Sequence, residues 1–266
     1  MSITQLRDQL IGKSNPTFKR DLGYMKSMAN SLGDGEVLTA DMVGSKPQDF
    51  NFLKGVIGSG LRGDLFHEAI DAIFTYNKAN PNAMIKSIAE LQGKDDGLYH
   101  KVMDKFTSTK TQLAKYGFGD DYLTTDKDIA SYMEAIDKIG LRATGFSERP
   151  LGFQMMGPNG LFKVAATLDQ LYSGEMGTPF TLDNKTGSVK GFEAFQLTGQ
   201  MMAMMANQAD ISELKDMDFS KGQLGIADVK NGFTKILPYD SLSMEAMYEL
   251  ISKAYGIKSG KESPLS

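Results

Sequence analysis

Thirty-three carboxylates and two imidazoles make up most of the acid–base inventory of this 266-residue chain, which has no cysteine. Without a thiol, disulfides, thiolate zinc sites, iron–sulfur clusters and cysteine nucleophiles are excluded. Among the acids, Glu134, Asp137, Glu148 and Glu175 are candidates for an acid/base pair of the kind that hydrolyses glycosides, a chemistry decided by the separation of two carboxyl groups. His67 and Asp71 stand four apart, on one face of a helical run, with Glu68 beside them. That spacing can serve a metal-dependent hydrolase or an amphipathic helix with a solvated polar face. A different chemistry attaches to Met201, Met202, Met204 and Met205, which make one segment apolar around most of its circumference. Such a helix is either buried on several sides or offers an adaptable surface to a protein partner.

Two Gly-turn loops flank that methionine segment. The first, Leu182-Asp183-Asn184-Lys185-Thr186-Gly187-Ser188-Val189-Lys190-Gly191-Phe192-Glu193, places Asn184 and Thr186 at alternate positions, Gly187 sixth, Val189 eighth and Glu193 twelfth. In the second, Met217 to Asp228, only Gly222, Leu224 and Asp228 keep the pattern. Together they resemble a degenerate EF-hand pair, a helix–loop–helix module over about residues 170–250. The resemblance implies calcium held by oxygen ligands, here Asn184, Thr186 and Glu193. It also implies backbone pairing between Val189 and Leu224. Leu182 and Met217 replace the first-ligand Asp, and Lys221 brings a positive charge into the second loop, so the expectation is no cofactor, or weak calcium. A loop near the N-terminus, with Asn30, Asp34, Gly35, Val37 and Asp41, resembles the same pattern and adds Asn30, Asp34 and Asp41 as ligand candidates. The run His67-Glu68-Ala69-Ile70-Asp71 resembles the zinc-peptidase motif, with Asp71 where the second His would stand.

The elements that must position these groups read mainly as helices. Ile3, Leu6 and Leu10 keep helical spacing before Gly12, and Asn15-Pro16 opens a second helix. Helical runs follow over 47–57 and 65–76, with Gly58-Ser59-Gly60 as a break, and over 84–91 after Asn80-Pro81. Another begins at Asp96 or Gly97, a short one ends at Gly117, and Thr125-Asp126-Lys127-Asp128 caps a helix over 129–139. Glycines and prolines between 141 and 160 mark a domain boundary. Beyond it the apolar spacing predicts helices over 161–172, 194–206 and 244–255, and a capping box at Asp210–Glu213 opens one more. Arg62-Gly63-Asp64, an adhesion-like tripeptide, reads as a cap before Leu65. Gly55 to Gly60 lacks the Lys-Ser/Thr of a phosphate loop.

The expected fold is therefore mainly α, with an N-terminal helical region at 1–145, a C-terminal region at 146–258 carrying the EF-hand-like loops, and a disordered tail at 259–266. A net charge of −4 turns the reading away from nucleic acid, whose backbone needs concentrated Lys and Arg. The longest apolar stretches fall short of a membrane span, and the N-terminus lacks the pattern of a Sec signal. The expected location is cytoplasmic, or exported without a recognisable Sec signal. The expected role is non-catalytic, a binding or structural protein with a protein partner. The alternatives are a carboxylate-dependent hydrolase, glycosidase-like or metal-dependent, and an exported bacterial effector or virion component.

Overall fold

Thr125 and Asp128 cap each other reciprocally. The Thr125 amide donates to Asp128 Oδ2 at 2.8 Å, and the Asp128 amide donates to Thr125 Oγ1 at 3.2 Å. Two N–H groups that a helix start leaves without partners are thereby satisfied, and the helix begins at Asp126, within the predicted capping run and three residues ahead of the predicted start. The computed structural model describes residues 2–10, 16–144, 146, 149–157, 160–168, 170–174, 177–185, 193–228, 232–238 and 244–258. Helices dominate these residues: α1 (Ile3–Leu10), α2 (Pro16–Ser31), α3 (Pro47–Ala79), α4 (Asp96–Lys115), α5 (Asp126–Lys138), α6 (Glu193–Ala206) and α7 (Met244–Lys258). Strands β1 (Arg142–Ala143), β4 (Leu171–Ser173), β5 (Pro179–Lys185), β6 (Gln223–Asp228) and β7 (Gly232–Pro238) form a mixed sheet, while β2 (Pro150–Gly157) and β3 (Gly160–Thr167) form a hairpin.

By their contacts the residues divide into two compact units, Pro16–Glu134 and Met1–Asn15 with Ala135–Ser266. The division between the units falls at Glu134/Ala135, inside the run 129–139, and residues 2–10 group with the second unit. The tail at 259–266 lies outside the described residues.

In the helical unit, α3 is one 33-residue helix running straight through the predicted break at Gly58-Ser59-Gly60. Glycine is present at 58 because a ring occupies the space of its side chain: a Cβ there would stand 2.7 Å from Phe118 and 3.0 Å from Tyr122. The residues at 96–115 likewise form one helix, α4, with the Asp95 carboxylate accepting from the Leu98 amide at 3.0 Å.

The helix predicted over 84–91 is replaced by an irregular segment and a single 3-10 turn, Ala89–Leu91. Side chains take the backbone groups that such a helix would bond internally. Asn77 accepts from the Ile85 amide at 2.7 Å and donates to its carbonyl at 2.9 Å, and Asp126 Oδ1 accepts from the Ile88 amide at 2.6 Å. Ile85, Ile88 and Leu91 are buried all the same, so tertiary packing overrides a good periodicity.

In the second unit, β5 and β6 run parallel, with α6 in the chain between them; the other pairings in the sheet are antiparallel. A parallel pair needs such a crossover. The core gathers Ile3, Leu6 and Leu10 of α1, Phe195, Leu197, Met201 and Met204 of α6, and Met247, Ile251 and Ala254 of α7. At Gly199 a Cβ would sit 2.5 Å from Ile3, so α1 and α6 meet at close range.

The helix expected over 161–172 is instead β3 and β4. Phe162, Val164 and Ala166 alternate with the exposed Leu161, Lys163, Ala165 and Thr167, a period of two that Leu151, Phe153 and Met155 match on β2. The helix expected after Asp210 is instead a series of 3-10 turns at Gln208–Asp210, Ser212–Leu214 and Phe219–Lys221. Gln208 Nε2 donates to the carbonyls of Leu214 at 3.1 Å and Met217 at 2.9 Å, and the Leu214 carbonyl also accepts from the Met217 amide at 3.1 Å, a three-residue turn and not an α-helical bond.

Candidate binding cavity

The residues expected to bind a metal are dispersed. Asn30 lies in the last turn of α2, and Asp34 and Asp41 sit in turns between α2 and α3, all three exposed. That connection is fastened by other groups. Glu36 Oε2 accepts from the Gly33 amide at 2.7 Å, the Leu38 amide donates to the Lys115 carbonyl at 2.8 Å, and Lys115 Nζ donates to the Leu32 carbonyl at 3.2 Å. The ammonium of Lys115 thus takes a loop carbonyl that a cation would otherwise use. Asn184 falls within β5, in register with Ala227 of β6, and Thr186 and Val189 lie outside the described residues. Glu193 is the first residue of α6 and is buried. Among the described residues, no three His, Asp or Glu side chains are grouped so as to share a metal ion.

Of the methionines considered for a partner, Met201 and Met204 are wholly buried. Met202 is partly buried and packs against the same core. Met205 is 38% exposed. Because the segment crosses a core shared by α1, α7 and the hairpin, its apolar circumference is explained by burial on several sides.

The remaining candidate groups that the structure describes make other contacts. Glu68 forms an ion pair with Lys101 at 2.5 Å, the His67 ring meets Phe66 edge-on, and Asp137 pairs with Arg142 at 2.8 Å. Glu134 is exposed, and Glu148 and Glu175 lie outside the described residues.

A cavity of about 320 Å³ lies within the helical unit. Leu65 and Ala69 of α3 line it together with Val102, Met103 and Phe106 of α4 and with Ile88, Leu123 and Ile129; Asp120, Thr124, Thr125 and Asp126 are the polar contribution. Three of these polar groups are already engaged in structure. Asp120 pairs with Lys110 at 2.6 Å, Asp126 caps the Ile88 amide, and the Thr125 hydroxyl donates to Asp128 at 2.9 Å. Thr124 differs from them, being 2% exposed with its hydroxyl enclosed and without a hydrogen-bond partner among the described residues. An apolar cavity of this size with few polar groups is the form that small-molecule sites take.

Beside this wall α3 carries a layered array. Lys54 Nζ lies 4.8 Å over the Phe118 ring, Phe118 and Tyr122 stack at 4.1 Å and 21°, and the Arg62 guanidinium lies 4.9 Å over Tyr122. Lys54, Gly58 and Arg62, each four residues on from the last, share one helical face, and Gly58 admits the rings. Arg62 is 5% exposed, and its Nε and Nη2 are enclosed without an acceptor among the described residues. The reading of Arg62-Gly63-Asp64 as a cap before Leu65 is therefore corrected: the tripeptide lies mid-helix and its arginine is buried.

Thr124 does not stand out in the sequence, and Arg62 does so only as part of the Arg62-Gly63-Asp64 tripeptide. The four-residue spacing of Lys54, Gly58 and Arg62 is a usable signal, but only once the glycines are read as part of one continuous helix. Two further groups are electrostatically perturbed. Burial pushes the Tyr116 phenol above its ordinary value, and a hydrogen bond from Ser220, aided by Lys221, holds the Asp218 carboxyl below its own.

No protein-family model matches this chain, and no curated protein matches it.

Proposed function

We propose that this chain is a non-catalytic binding protein whose helical unit takes a small apolar ligand in the cavity between α3, α4 and the start of α5. The observation that carries the reading is the cavity itself, about 320 Å³ with a wall that is mostly aliphatic and aromatic. Its acidic side chains support a binding role over a hydrolytic one. Asp120 is paired with a lysine and Asp126 with a backbone amide, so both are spent on holding the wall together. The test is binding of an environment-sensitive apolar dye to the full chain, with Ala69→Phe filling the cavity. Dye binding that is saturable and lost in the variant supports the proposal, whereas equal binding by both proteins contradicts it.

For the EF-hand-like loops the proposal keeps weak calcium or none. Leu182, at the first-ligand position, is 1% exposed and packed beside Gly225 in the core, where it can supply no oxygen. β5 leads into and covers the first four positions of the first loop, where the module would end a helix and begin a coordinating turn, and its pairing with β6 is parallel.

A protein partner, the second reading, is favoured by a separate feature. Met156 (74% exposed) and Leu161 (47% exposed) face each other across the β2–β3 hairpin and present apolar side chains to solvent. Among the described residues no helix is long and apolar enough to cross a membrane.

A further inference from the structure

We propose that the helical unit holds a second site, a cleft between α2, α3 and the end of α4 that takes a free amino acid with a large apolar side chain. It stands apart from the cavity reading above, since no residue lines both the cleft and that cavity.

The cleft has a volume of about 440 Å³. Leu22 of α2 and Val56, Ile57 and Leu61 of α3 give it an apolar wall. Gly60 lies on the same wall, inside a helix, where glycine is unfavourable. Gly58 is glycine because a ring stands beside it, whereas a Cβ at Gly60 would meet nothing within 4 Å. The missing side chain there relieves no clash and leaves space in the cleft.

The polar groups at the cleft are of both signs and are uncommitted. Lys26 and Asp64 are exposed, and neither forms an ion pair among the described residues, with the other or with a third group. Lys26 is four residues on from Leu22, and Asp64 four on from Gly60, so each charge shares a helix face with the wall. Tyr116 is 5% exposed, yet its hydroxyl makes no hydrogen bond among the described residues and is not one of the enclosed groups. A buried phenol ordinarily finds a partner. Burial also keeps this one protonated, and therefore a donor.

This set of groups selects a zwitterion. An anion would meet the Asp64 carboxylate as well as the Lys26 ammonium, and a cation would meet the same pair with the signs reversed. An amino acid satisfies both. Its carboxylate accepts from Lys26 and from the Tyr116 hydroxyl, its ammonium donates to Asp64, and its side chain covers the apolar wall. At about 30 Å³ per water-sized group, 440 Å³ holds about fifteen non-hydrogen atoms, and phenylalanine has about twelve.

The test is calorimetric titration of the full chain with L-phenylalanine, with N-acetyl-L-phenylalanine, which keeps only the negative charge, and with L-phenylalaninamide, which keeps only the positive one. Each blocked form should bind about threefold or more weakly than phenylalanine, the increment of an exposed ion pair. Glycine, which lacks the side chain, should bind at least about tenfold more weakly. Lys26→Gln should weaken phenylalanine and leave phenylalaninamide unchanged, and Asp64→Asn should weaken phenylalanine and leave N-acetylphenylalanine unchanged. Gly60→Leu, which fills the cleft, should abolish binding. Methyl resonances of Leu22 and Val56 that shift with phenylalanine place the ligand independently of any variant's stability. Equal affinities for phenylalanine and its two blocked forms, unchanged phenylalanine binding in both charge variants, shifts at Val102 and Ile129 instead, or no binding of phenylalanine at all would each overturn the proposal.

Discussion

Replacing Arg62 with methionine should make the ligand-free protein more stable, although it removes a visible interaction. The substitution keeps an unbranched side chain along α3 and deletes the charge. Against it stands the loss of the cation–π contact with Tyr122, 4.9 Å away, worth about 2 kcal/mol when desolvated. In its favour stands relief of a buried ion whose Nε and Nη2 lack acceptors among the described residues, a penalty of several kcal/mol. The difference is a gain of about 1–3 kcal/mol, which raises Tm by roughly 3–10 °C. Scanning calorimetry of the full chain without ligand measures it. An Arg62→Met protein less stable than the wild type without ligand would refute the reasoning, since it would mean that the guanidinium is already compensated.

Gly58→Ala provides a second test by sign. In an exposed helix interior the change stabilises by about 1 kcal/mol. Here the new Cβ would stand 2.7 Å from the Phe118 ring, so a loss of about 1–3 kcal/mol is expected in urea unfolding. Tyr116 should make stability fall at high pH. Its folded pKa is raised by burial, so its contribution is complete below the ordinary tyrosine value of about 10 and is lost as pH rises through the folded value; in Tyr116→Phe that part of the alkaline loss should disappear. Calcium titration should give weak binding or none, and micromolar binding abolished by Glu193→Gln would contradict the reading of Leu182 as a core residue.

What the sequence conveys depends on which physical term decides each element. The start of α5 is legible because Thr125 and Asp128 cap it through local bonds, and Pro16 opens α2 for a reason equally local. Residues 84–91 mislead because Ile85, Ile88 and Leu91 satisfy a helical period while the backbone bonds there belong to Asn77 and Asp126, the latter 38 residues from Ile88. The 161–172 segment misleads because its short apolar run fits both periods, and only Phe153 and Met155 across the hairpin make the period of two count. The glycines at 58–60 look like a break, yet one of them is the floor for a ring pair. The methionine segment is legible as an element and as core, because an apolar circumference on a single helix demands burial on several sides.

The candidate site is not legible in the same way. Leu65 and Ala69 look like any core stripe, and a cavity is a property of what fails to fill the space between α3, α4 and α5. Arg62 looks like an ordinary charged residue in a helix until its burial is known. Acidic loop residues suggest calcium because alternating oxygens have a recognisable spacing, whereas an apolar pocket has none.

The central claim is that the cavity in the helical unit is a binding site. Methyl-labelled NMR spectra of the full chain, recorded with and without 1-octanol as an apolar probe, test it most directly. The account predicts saturable shifts confined to Leu65, Ala69, Ile88, Val102, Leu123 and Ile129. No saturable shift at those methyls, or shifts clustered instead around Met201 and Met204 in the other unit, would contradict it.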